Sequence, residues 1–175
     1  MLHSYVLRYP MTPYAGVFIT TVGACVIAGS VLPNYRDSLV WVGFALGTIL
    51  LVGFGGILSN GLHSPSFLQV SFLGLAIVLE IAGFRYVMPA VRPRGERATL
   101  SVTLGIVGAH FLVMLPAFGP LIGALGLACT LNALGSWFLF AYRAGVAWLI
   151  DGCLKLLLGI AMIATSPLLL GWSRQ

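Results

Sequence analysis

Residues 66–88 read SFLQVSFLGLAIVLEIAGFRYVM, 23 residues in which Glu80 and Arg85 are the only charges. A helix rises 1.5 Å per residue, so a run of this length reaches roughly 35 Å, enough to cross the ~30 Å hydrocarbon core of a bilayer. Pro65 before it and Pro89 after it mark its ends. The segment predicts a transmembrane helix with one carboxylate near its middle.

Five further apolar runs lie on either side of it, at 12–32, 38–58, 100–117, 118–142 and 146–171. Together they predict an all-α integral membrane protein, one domain over residues 1–175, folded as a compact bundle of six transmembrane helices. Pro33 and Asn34 with Arg36 and Asp37, then Asn60 and Gly61, then Pro89 through Arg97, punctuate the spans. Only Pro116 to Pro120 separates the fourth run from the fifth, which predicts a tight hairpin. Arg8 followed by an apolar run has the look of a secretory signal, but the run continues well past Cys25, so an uncleaved first helix is expected.

The composition agrees with a lipid environment. The chain is 59% hydrophobic and 7% charged, with a mean hydropathy of +1.04, whereas a soluble domain carries about a quarter charged residues. Its net charge of +5 is spread thinly rather than gathered on one basic face, which excludes a nucleic-acid partner and a disordered chain. Cys25, Cys129 and Cys153 each sit inside an apolar run and read as small buried hydrophobes.

Cytoplasmic loops of membrane proteins retain the positive charge. Arg36, Arg92, Arg94, Arg97 and Arg143 all follow odd-numbered spans, and Arg8 and Arg174 lie at the termini. Both termini are therefore expected outside, with the basic loops in the cytoplasm. Three spans on each side of the 89–97 loop would run in opposite senses, the layout of two inverted three-helix halves. Overlays such as Trp41-Val42-Gly43 on Leu121-Ile122-Gly123 are the sequence's support for such a repeat.

Small residues four apart mark faces where helices approach closely in lipid. Gly43 with Gly47, and Gly119 with Gly123, form such pairs. They predict packing within the bundle, or else contact with a second copy or other membrane subunits, alongside the lipid bilayer itself. Trp41, Tyr142, Trp148 and Trp172 stand near span ends as interfacial anchors.

Ionisable residues within spans are costly and mark candidate sites. Gln69, Leu73, Ala76 and Glu80 share one helical face, as do Cys129, Asn132, Ser136 and Arg143, and Asp151 precedes Lys155 by one turn. Counted from the cytoplasmic span ends, Glu80, His110, Asn132 and Lys155 all fall roughly 12 to 15 Å deep, near the midplane. The sequence thus predicts a midplane substrate or proton site built from Glu80, His110, Asn132, Asp151 and Lys155, with Glu80 as proton carrier and Arg143 at its cytoplasmic mouth. The competing expectation is purely structural, with Asp151 and Lys155 neutralising one another and His110 hydrogen-bonded in a packed core.

No HExxH, GxSxG, paired CxxC or phosphate-binding glycine loop occurs, and the four acids make no metal cluster, so neither a cofactor nor a metal is expected. An intramembrane enzyme would use Glu80 and His110 as acid and base. The leading expectation is a small transporter or channel for a small polar solute or ion with a proton-sensitive midplane site. A non-catalytic transmembrane subunit of a larger membrane complex is the alternative.

Overall fold

The computed structural model describes residues 2–58, 62–138, 144–167 and 169–171, and every regular element among them is helical. The helices are α1 (Leu2–Arg8), α2 (Thr12–Val31), α3 (Arg36–Leu58), α4 (Phe67–Ala82), α5 (Met88–Val91), α6 (Glu96–Val113), α7 (Leu115–Phe118), α8 (Pro120–Phe138) and α9 (Ala144–Ile163). Five segments are long and apolar enough to cross a membrane, namely Thr12–Val31, Pro33–Phe54, Phe67–Arg94, Pro120–Phe138 and Ala144–Ile163. The expected fourth span is not one of them. Its helix, α6, carries Glu96, Arg97 and His110, which dilute its apolar surface.

The third span runs past its expected end at Met88. A π-helical turn, Gly83–Val87, joins α4 to α5, so one continuous rod extends from Phe67 to Arg94. A proline ring inside a helix clashes with the carbonyl four residues earlier. For Pro89 that is Arg85, inside the widened π turn, which lets the helix continue through the proline.

The expected hairpin is present. α6 ends at Val113, α7 adds one turn, and Gly119 reverses the chain at φ +80°, a region that favours glycine. A Cβ on Gly119 would also lie 2.6 Å from the Tyr9 ring, so the turn has no room for another residue. The last span ends at Ile163 rather than Gly171, and Ser166 beyond it bonds the carbonyl of Leu58.

At the start of α4 the polar residues cap rather than line a site. Ser66 and Gln69 form a reciprocal capping box, and Gln69 Nε2 donates to the Arg8 carbonyl at 2.9 Å, tying α1 to α4.

The helices pack side by side in the order α3, α2, α9, α8, α6, α4. Two backbone-to-backbone contacts dominate. Gly16 and Gly23 of α2 face Gly159 and Gly152 of α9, where a Cβ on Gly23 would lie 2.7 Å from the Leu156 nitrogen. Gly108 of α6 faces Gly126 of α8 in the same way, a Cβ there lying 2.8 Å from the Thr130 nitrogen. Gly43 and Gly47 seat α3 on Cys25 and Phe18 of α2, and Gly123 packs on Leu115. Helix α4 packs chiefly on α6 and α7, whereas α2 packs chiefly on α9 and α3.

The core cluster between these helices includes Ile19, Phe111, Phe118, Ile122, Leu125, Cys129 and Met162. Helices α3 and α4 are the flanks, with little of their surface buried inside the bundle. Arg36, Glu96 and Arg97 meet at one end. Arg36 Nη1 lies 3.1 Å from Glu96 Oε1 and its guanidinium covers the Trp148 ring, while Arg97 donates to the Ser136 and Trp137 carbonyls at 2.7 and 3.1 Å. Arg97 thus satisfies last-turn carbonyls of α8 that the helix cannot bond itself.

Candidate functional site

Two polar centres are present, one on a flank of the bundle and one in its core. The first joins α4 and α6. His110 is 9% exposed, and its Nδ1 lies 3.0 Å from the Ala76 carbonyl oxygen. A carbonyl only accepts, so Nδ1 carries a hydrogen and donates it. Glu80 lies one turn beyond Ala76, and its Oε2 is 3.3 Å from the same Nδ1. The Glu80 side chain is 21% exposed.

That exposure faces a recess of about 130 Å³ lined by Leu79, Glu80, Gly83, Ile106, Ala109, His110 and Val113. Gly83 opens the π turn and packs closely on Ile106, where a Cβ would lie 3.0 Å from a methyl. An extra residue per turn rotates the helix downstream of Glu80, and such π turns are frequent at functional sites. The recess opens on the flank of the bundle, between α4 and α6.

The second centre is sealed between α6, α8 and α9. Asp151 Oδ2 accepts a hydrogen bond from Lys155 Nζ one turn away, and the two side chains are 2% and 6% exposed. Cys129 Sγ donates to Asp151 Oδ1 at 3.3 Å, and Lys155 Nζ lies 5.9 Å from the centre of the Phe111 ring. Asn132, one turn along α8, donates from Nδ2 to the Ala147 carbonyl at 2.9 Å. A little farther along, Ser136 and Ser101 share a hydrogen bond of 2.6 Å.

The single midplane constellation expected from the sequence is therefore divided. Glu80 pairs with His110, and Asp151 pairs with Lys155; among the described residues no hydrogen bond or ion pair joins one pair to the other. The physical reason lies on α6. His110 turns toward α4, whereas the adjacent Phe111, about 100° around the helix, faces the core and Lys155. Arg143 lies outside the described residues. Arg85 stacks on Tyr86 and stays exposed, away from Glu80.

Three participants had no functional reading in the sequence. The Ala76 carbonyl acts through its backbone and leaves no residue-type signal. Gly83 is one of 22 glycines. Cys129 shared a face with Asn132, which hinted at its inward position, but its partner Asp151 is on another helix.

A family model matches residues 3–168, nearly the whole chain and both polar centres. The chain belongs to DUF6609, a family of unknown function. No curated protein and no solved structure matches it.

The chemistry open to the two centres differs. In the sealed pair the two groups satisfy one another along α9, with the Cys129 thiol of α8 and the aromatic face of Phe111 completing the shell. Among the described residues no group of three or more metal-binding side chains comes together. The Glu80 recess is different, because it presents hydrogen-bond acceptors beside an opening.

Proposed function

We propose that this member of DUF6609 is a non-catalytic transmembrane subunit that meets a partner along the flank formed by α4 and α6. One observation carries the reading: the Glu80–His110 pair faces a recess on the outside of the bundle, not an interior space shared with Asp151 and Lys155. An ionisable pair on a flank is costly against lipid alone and is relieved when a partner covers it. The exposed surfaces of α3 and α4, including Val52, Phe67, Val78 and Ile81, leave room for such contact.

In this reading six segments cross the bilayer, since α6 lies along α8 from Ser101–Ser136 to Gly108–Gly126 and shares its depth. Both termini lie outside. Arg36, Arg92, Arg94 and Arg97 face the cytoplasm, in keeping with the retention of positive loops there.

Transport of a small polar solute or ion is the second reading. It draws on the level of the polar groups: Glu80 lies midway along the rod from Phe67 to Arg94, and Cys129 and Lys155 lie near the middles of α8 and α9.

Extraction of the full chain from its native membrane in a mild detergent, followed by native mass spectrometry, tests the proposal. A fixed stoichiometric assembly with other membrane proteins is expected. A lone chain that catalyses solute or proton flux in proteoliposomes would overturn it in favour of transport.

A further inference from the structure

We infer that the recess beside Glu80 receives an ammonium group carried on a partner's transmembrane helix, a lysine side chain at mid-bilayer depth. This rests on the subunit reading and specifies the chemistry of its contact. The groups lining the recess set the requirement. Glu80 Oε1 meets no donor among the described residues, and Oε2 has only the neighbouring His110 ring, whose Nδ1 hydrogen is directed to the Ala76 carbonyl. The Glu80 carboxyl therefore presents to the recess an oxygen that no donor among the described residues meets.

A lysine ammonium is the complementary group, with three donors, no acceptor and a positive charge. The remaining walls are apolar, from Leu79, Ile106, Ala109 and Val113, and suit the methylene stem that precedes the ammonium. The volume of about 130 Å³ is close to that of cavities that hold a benzene-sized group, so it admits a side-chain head but not a backbone segment. The level fits as well. Glu80 lies roughly 20 Å from either end of its 28-residue rod, so the charge that answers it must be carried to mid-bilayer on a helix.

The test uses the full chain in phosphatidylcholine nanodiscs and synthetic single-span leucine-rich peptides that differ only at their central residue, lysine or leucine. Association is read by energy transfer. The lysine peptide is expected to bind roughly tenfold or more tightly than its leucine twin, with Glu80→Gln abolishing the preference. Ala109→Phe, which fills the recess but leaves the carboxylate, should abolish it too.

Equal binding of both peptides, or a lysine preference that survives Glu80→Gln, would overturn the inference. Benzylammonium binding as tightly as the lysine peptide would also overturn it, since the ligand would then be a free amine. The subunit reading fails separately, if the native chain is found alone. An assembly that survives Glu80→Gln would leave the subunit reading standing while overturning the lysine contact.

Discussion

His110 on α6 hydrogen-bonds the backbone carbonyl of Ala76 on α4, Nδ1 to oxygen 3.0 Å, and this bond joins the flank helix α4 to the core. It also requires that Nδ1 carry a hydrogen. His110→Leu should lower stability in detergent by about 1 kcal/mol, the usual net worth of one hydrogen bond. His110→Asn, whose amide can donate from a similar position, should recover part of that loss. Thermal melting of both variants checks this, and equal losses would show that the bond is not what the histidine contributes.

The Asp151–Lys155 pair should behave as a unit. Asp151→Asn leaves a lysine ammonium buried without its counter-charge, at a cost of roughly 3 to 5 kcal/mol. Adding Lys155→Met removes that charge, so the double variant should be more stable than Asp151→Asn alone. A double variant no better than the worse single variant would mean that the two charges are not coupled.

Glycine substitutions should divide sharply by position. Gly23→Ala and Gly126→Ala each place a methyl 2.7 Å from a backbone nitrogen of the facing helix, Leu156 and Leu112, and should destabilise by about 1 to 3 kcal/mol. Gly53→Ala and Gly74→Ala meet nothing within 4 Å and should be neutral or slightly stabilising through helix propensity. Melting of the four variants in one detergent tests the division.

Alkaline pH should loosen α1. The Tyr5 hydroxyl donates to the Phe118 carbonyl at 3.2 Å, and burial pushes its pKa above the usual tyrosine value. An acid whose folded pKa is raised contributes stability that is complete below its unfolded pKa and is lost as pH rises through the folded value. The advantage of the wild-type chain over Tyr5→Phe should therefore hold at neutral pH and shrink above about pH 10. A difference in melting temperature that stays constant through that range would contradict the role given to the hydroxyl.

Much of the fold was legible because apolar length is a local property. Residues 66–88 needed no partner to be read as a span, and Gly119 between two prolines was a turn wherever the bundle placed it. Helix faces were legible too: Gln69 and Ala76 are buried as the spacing required, and so are Cys129, Asn132 and Ser136. Two boundaries moved for reasons that a hydropathy count does not capture. Pro89 marks an end in sequence, yet the π turn lets the helix pass through it. The run beginning at Leu100 has its charges at Glu96 and Arg97, inside the helix that forms there.

The close contacts were less legible. The GxxxG spacing drew attention to Gly43 and Gly47, while the close approach of α2 and α9 uses glycines seven apart, Gly16 with Gly23 on α2 and Gly152 with Gly159 on α9. Seven residues return to nearly the same face after two turns, so both spacings satisfy the same geometry. Only the partner helix decides which pair is used.

The sequence by itself determined that this chain is built of apolar helices, with ionisable residues inside the apolar runs and most of the arginines between them. Those properties follow from residue type and from periodicity along a single helix. The i,i+4 spacing also set Asp151 beside Lys155; tertiary structure alone decided that Glu80 answers His110, and that this pair opens on a flank while the other is closed in the core. The reason is rotational. Equal depth is set by counting along each helix, but contact requires that faces on different helices turn toward one another, and that angle is fixed by how glycine contacts seat one helix against the next.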